Sequence, residues 1–276
     1  MIALGCVLGC ASTAWAAGDL FYSIPRIVGV QDASDNGDGV TQRVLSCPAS
    51  HPTATGGGAE IAGDQTNLDL ELKSSAPLIG GSGPDDWDFQ ANNSSGSHAQ
   101  MTISVICAQG TFVHPTELAH VPAGDSRTRT ATCPAHTKLA GGGTFTTRDG
   151  DHRTEIGDSA PEGTRPHPDS WTGTINNGSD QAVNMGVRAV CARRGSFRVV
   201  RTSRKPLPDG SQVSAVANCP HGTRVTGGGV RITGLSDALE VASSAPTDSH
   251  KAWHGLANND GSGRAEHMQT FAVCKG

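Results

Sequence analysis

The sequence predicts an all-β protein made of three copies of one disulfide-closed unit. Three observations carry this: the composition, the spacing of six cysteines, and a Trp-to-Asn-Asn phrase that recurs three times. Of 276 residues, 36 are Gly, 17% are charged and 4% are aromatic. Thr, Val, Ser and Gly are plentiful while Leu and Glu are scarce, a balance that suits strands joined by turns.

The chain opens on an apolar run, residues 1–16 (MIALGCVLGCASTAWA), ending in the small-x-small site Ala14-Trp15-Ala16. It reads as a secretory signal removed from the mature protein. No Lys or Arg precedes the run, which points to a start further upstream. Leu8-Gly9-Cys10 raises a second form of export, anchorage through a lipidated Cys10. No later stretch is long and apolar enough for a transmembrane helix. Six cysteines then remain: Cys47, Cys107, Cys133, Cys191, Cys219 and Cys274. An even count in an exported chain implies disulfides.

Cys47, Cys133 and Cys219 stand 86 residues apart, each followed by Pro. A Gly triplet follows at 56–58, 141–143 and 227–229. Next comes a Glu that opens a run closing on Ser-Ala-Pro: Glu71 to Pro77, Glu155 to Pro161 and Glu240 to Pro246. Trp87, Trp171 and Trp253 each precede an Asn pair by five residues, in WDFQANN, WTGTINN and WHGLANN. Met101, Met185 and Met268 each precede a Cys by six. This is an internal repeat of about 86 residues. Its copies are residues 18–109, 110–194 and 195–276. The simplest pairing treats the copies alike: 47–107, 133–191 and 219–274, each bond closing a loop of about 60 residues. The rival is pairing between adjacent copies.

Within a copy the local signals are strands. Met101 to Cys107 alternates, with Met101, Ile103, Val105 and Cys107 on one face. Leu68, Leu70 and Leu72 share a face, and Asp69, Glu71 and Lys73 point away. Trp87, Phe89 and Ala91 alternate before Asn92-Asn93, whose tolerance of positive φ predicts a hairpin turn. The Gly triplet lies between strand-like segments, where it permits a bulge or a close backbone approach. The segments joining the copies also contain strand-like pieces. Two architectures fit: one pseudo-threefold assembly such as a β-prism, with each copy forming one sheet, or three small β-sandwiches in tandem.

Candidate ligand-binding residues come from the repeat. Trp87, Trp171 and Trp253 are either stacking platforms for sugars or core anchors beside the disulfides. With so few aromatics, the core role takes precedence. Asn92, Asn176 and Asn258 could bond a polar ligand or serve turns. Glu71, Glu155 and Glu240 lie on the face opposite their aliphatic neighbours, outward or at a seam between copies. A single recurring carboxylate lacks a recurring partner acid, so glycosidase chemistry is unsupported. His51, His136 and His221 follow the Cys-Pro pairs at unequal offsets, and no HExxH occurs, so no metal or other cofactor is expected. The acidic run from Asp32 to Gly39 resembles half a calcium loop without its closing Glu. There is no G-x-S-x-G elbow and no phosphate loop.

Charge is uneven along the chain. Residues 18–109 hold 11 acidic and 3 basic side chains, and residues 195–276 hold 6 and 9. Arg193, Arg194, Arg198, Arg201, Arg204 and Lys205 cluster without an acid among them: a solvated connector, or the basic end of a head-to-tail self-association. An exported, net acidic chain argues against nucleic-acid binding.

The phrases CPAHTKLAGGG and CPHGTRVTGGG, followed by Ser-Ala-Pro, Trp, Asn-Asn and Val-Cys, resemble repeats in secreted bacterial proteins of unknown function. The resemblance spans nearly the whole mature chain, although the first copy has one extra residue before its glycines. It implies export and a β-rich repeat, and no activity. The expectation is therefore a secreted, non-enzymatic β-repeat protein with a structural, surface or assembly role. The alternative is a carbohydrate-binding protein with up to three equivalent sites, meeting a polysaccharide or cell surface.

Overall fold

The computed structural model describes residues 19–32, 40–62, 68–80, 83–146, 153–163 and 167–276. The expected signal at 1–16, with Cys10, and the acidic run after Asp32 lie outside those residues. The described residues form strands and turns, with no helix among them.

Each copy supplies seven strands. The first holds β1 (Leu20–Tyr22), β2 (Arg26–Val30), β3 (Val40–Ser46), β4 (Thr53–Ala62), β5 (Leu70–Leu78), β6 (Asp86–Asn93) and β7 (Ala99–Ala108). The second holds β8 (Phe112–Val113), β9 (Thr116–Val121), β10 (Asp125–Thr132), β11 (Lys138–Thr146), β12 (Thr154–Glu162), β13 (Ser170–Asn177) and β14 (Val183–Ala192). The third holds β15 (Phe197–Arg201), β16 (Lys205–Leu207), β17 (Ser211–Asn218), β18 (Arg224–Ile232), β19 (Leu239–Pro246), β20 (Ala252–Asn259) and β21 (Glu266–Lys275).

These strands form three seven-stranded sheets, and the expectation of one sheet per copy is corrected. Strands β3, β6 and β5 of the first copy join β11, β14, β8 and β9 of the second. Strands β10, β13 and β12 of the second join β18, β21, β15 and β16 of the third. Strands β17, β20 and β19 of the third return to β4, β7, β1 and β2 of the first. The exchange closes a ring with pseudo-threefold symmetry. The half-sheets meet through antiparallel registers at Thr144↔Ser75, Ser159↔Val230 and Ser244↔Ala59. A half-sheet left alone would present an open edge, and the neighbouring copy covers it.

Inside one copy the two half-sheets pack face to face, so each copy is also a small sandwich. The disulfides staple these layers. Cys47–Cys107, Cys133–Cys191 and Cys219–Cys274 form as the repeat predicts, with Cα separations of 5.7, 5.6 and 5.7 Å. Each joins the end of one half-sheet to the long strand of the other. Three disulfides suit an oxidising compartment.

The Gly triplets lie within β4, β11 and β18, immediately after a register shift in each strand. Each position has its own reason. The first glycines approach backbone across the axis: a Cβ on Gly141 would come within 1.8 Å of the Thr55 oxygen. The second lie under the copy's own indole: a Cβ on Gly228 would come within 2.3 Å of Trp253. The third face the Ser-Ala backbone of the adjoining copy, as Gly143 does at Ser75.

Candidate functional site

Trp87, Trp171 and Trp253 are fully buried, at 1%, 0% and 1% exposure. Each indole lies between its copy's half-sheets and donates through Nε1 to the Ser of its copy's Ser-Ala-Pro. The acceptors are Ser75 Oγ at 3.1 Å, Ser159 Oγ at 3.0 Å and Ser244 Oγ at 2.9 Å. A buried ring face cannot stack on a sugar, so these residues anchor the core and the platform reading is corrected.

The two asparagines of each pair divide the labour. The second, Asn93, Asn177 and Asn259, closes the hairpin. Asn177 Nδ2 donates to the Val121, Pro122 and Gln181 oxygens, and its Oδ1 accepts from Ser179. Asn93 and Asn259 do the same with Ser97 and Arg264. The expected positive φ falls instead on Gly96 and Gly261 in the turns. Asn is therefore selected by its amide and not by its backbone freedom.

The first asparagine reaches into the next copy. Asn92 Nδ2 donates to the Thr154 oxygen at 2.9 Å, Asn176 Nδ2 to Leu239 at 2.8 Å, and Asn258 Nδ2 to Leu68 at 3.2 Å and Leu70 at 3.4 Å. In each case the acceptor lies just ahead of the next copy's repeated Glu. These bonds run cyclically around the ring. Asn176 Oδ1 accepts from Ser126 Oγ and Asn258 Oδ1 from Gln212 Nε2. In the first copy Val40 stands opposite Asn92, with an aliphatic side chain where the other copies have Ser126 and Gln212. Among the described residues Asn92 Oδ1 has no hydrogen-bond partner.

Glu71, Glu155 and Glu240 lie at the seam, 5%, 8% and 6% exposed. Their strands β5, β12 and β19 pack against one another around the axis. Burial, then the charges of Glu240 and Glu155, raises the Glu71 pKa well above the ordinary carboxylate range. Burial, then Asp260, pushes Glu240 up to about 8. At this seam Glu71 and Glu240 favour the protonated form, and burial keeps all three carboxyls from open solvent. Among the described residues no group of three His, Cys, Asp or Glu has metal-site geometry.

Two clusters escape the repeat because they are unique to one place. Asp158 stands where the other copies have Ser74 and Ser243. Burial pushes its carboxyl up to about 7 against the pull of Arg231, whose Nε lies 3.4 Å away. It borders a cavity of about 120 Å³ that Thr128 and Thr174 also line. The second is an open cavity of about 690 Å³ at the far end of the axis, where the copies' boundary segments converge. Its rim carries Arg193 and Arg194 of the basic cluster.

Charge also serves ring closure. Asp19 at the start of the first copy pairs with Lys275 at the end of the third, at 2.6 Å. Nearby, Tyr22 donates its hydroxyl to the Val225 oxygen and stacks on His250 with ring centres 4.0 Å apart. The acidic and basic ends thus meet within one molecule.

No protein-family model matches the chain, and no curated protein matches it. Among solved structures, a chain from the work entitled "The Triple Jelly Roll Fold and Turret Assembly in an Archaeal Virus" aligns with 85% of this chain and 81% of its own length. The identity is 9% and the TM-score 0.21, a likeness too slight to carry an argument.

Proposed function

We propose that this chain is an exported, non-enzymatic β-repeat protein with a structural or surface role. The observation that carries the reading is the use made of the repeated side chains. Trp, the paired Asn, Ser and Gly are spent on bonds within and between copies, and Asn92, Asn176 and Asn258 each fasten one copy to the next. A recurring binding site would leave its recurring groups open to solvent; here they are buried. What is repeated is the means of assembly. The three disulfides fit service outside the cytoplasm, where reduction is slow and a closed ring resists unfolding and proteolysis.

Cell fractionation with the full chain tests this. Recovery outside the cytoplasm with all six thiols oxidised, together with background turnover on glycosidase, esterase and peptidase substrates, is expected. Reduced cytoplasmic protein, or turnover abolished by one substitution in one copy, would overturn it.

A further inference from the structure

The 690 Å³ cavity is built from all three copies. Edge strands β1, β8 and β15 end there, paired with the ends of the long strands β7, β14 and β21. At one register position stand Leu20 opposite Ala108, Phe112 opposite Ala192, and Phe197 opposite Lys275. Leu20, Ala108, Phe112, Ala192 and Phe197 make an apolar belt. The floor includes Thr55 and Thr226, whose hydroxyls are already committed to the Ile106 and Ala140 oxygens. Its chemistry is therefore set at the rim.

The rim is cationic. Lys275 is neutralised by Asp19, the only carboxylate among the described residues that line the cavity. Arg193 and Arg194 are exposed on the turn before Gly195, a residue at φ +109°, and among the described residues neither side chain forms an ion pair. Two exposed guanidiniums over an apolar belt suit a ligand with one anionic head and one apolar body. The volume lies within the range of small-molecule sites, about 300–1,000 Å³.

We propose that the axial cavity is a binding site for one small amphipathic organic anion, its carboxylate or phosphate held by Arg193 and Arg194 and its apolar part seated among Leu20, Phe112 and Phe197. The site stands apart from the repeated Trp, Asn and Glu.

The probe is 1-anilinonaphthalene-8-sulfonate, an apolar anion that brightens on leaving water, titrated into the folded, oxidised protein. One equivalent is expected to bind, more weakly in 0.5 M NaCl. Arg193→Ala/Arg194→Ala is expected to weaken binding about tenfold, roughly the effect of losing charge-assisted hydrogen bonds. Asp19→Asn removes the competing carboxylate and is expected to tighten binding a few-fold. Both changes are on the surface, and an unchanged Tm shows that the fold is intact. Displacement by octanoate points to a carboxylate ligand, and displacement by hexyl phosphate to a phosphate monoester. Binding beyond one equivalent, equal affinity in the double variant, equal affinity for the neutral N-phenyl-1-naphthylamine with the same response to the variants, or displacement by neither competitor overturns the proposal.

Discussion

Asn176 in the second copy donates its side-chain amide to the Leu239 oxygen of the third, 2.8 Å away, while its own oxygen accepts from Ser126. One side chain thus satisfies a buried carbonyl in its neighbour and a hydroxyl in its own copy. Replacing it with Ala orphans the Leu239 oxygen. Leaving one buried polar group unpaired costs about 1–3 kcal/mol. Asn176→Ala is therefore expected to lower Tm by several degrees, at about 2–4 °C per kcal/mol for a domain of this size. Thermal unfolding followed by circular dichroism checks this, and an unchanged Tm would remove the asparagine ring as a fastening.

The second glycine of each triplet is set by its indole. Gly228→Ala places a methyl where Trp253 already lies, 2.3 Å from the nearest ring atom, against the Phe271 oxygen at 2.5 Å. Neither the rigid ring nor the backbone gives way cheaply. Overpacking of this kind costs about 1–3 kcal/mol or more. Gly29→Ala is the control, since nothing lies within 4 Å of the Cβ it would add. Urea unfolding is expected to show a lower midpoint for Gly228→Ala and little change for Gly29→Ala. Similar midpoints for the two would contradict the contact.

Much of this was legible in the sequence, and the reason is locality. The disulfide pairing and the strand alternation recur three times, so each copy checks the other two. Strand exchange was not legible: a half-sheet reads the same whether its neighbour is its own copy or the next. The glutamates show the cost. Alternation correctly placed Glu71 opposite Leu70 and Leu72, yet that face is buried only because three copies close over the axis. The cavity at Arg193 and Arg194 was hidden for the opposite reason. Its apolar belt comes from equivalent positions of the three copies, but its charged rim, Arg193 and Arg194, belongs to one boundary segment alone.

The buried indoles predict a spectroscopic result. Trp87, Trp171 and Trp253 are each at most 1% exposed. Protein lacking residues 1–16 contains no other Trp. Its emission is expected to be blue-shifted and poorly quenched by acrylamide, with no response to polysaccharides. Reduction of the disulfides followed by mild heating is expected to restore quenching. Each bond closes a span of 55 to 60 residues, worth up to about 4 kcal/mol in the chain-entropy model. Strong quenching of the oxidised protein would contradict the burial.

The seam carboxyls predict that stability falls as pH rises. An unfolded Glu titrates near 4.5, whereas folded Glu240 holds its proton to about 8. Below pH 4.5 both states are protonated and the contribution of this group is complete. Between 4.5 and 8 only the folded state keeps the proton, so stability drops by about 1.4 kcal/mol per pH unit for each such group. Other groups overlap the lower part of this window. Asp158, raised to about 7, adds to the fall up to that pH. His114, held near 4 by burial, opposes it between about 4 and 6.5. From pH 7 to 8 the seam supplies most of the slope, with the tail of the Asp158 titration beneath it. There Tm is expected to decline in the parent protein, while Glu240→Gln, which is neutral at every pH, is expected to flatten the decline and to be the more stable at pH 8. Glu71 also lies well above its ordinary range, through burial and the charges of Glu240 and Glu155, so some slope is expected to remain in the single variant. Glu71→Gln/Glu240→Gln is expected to lose more of it. Parallel pH profiles for parent and variants between 7 and 8 would show that the seam glutamates are ionised in the folded ring, contrary to the burial and mutual repulsion that hold them neutral.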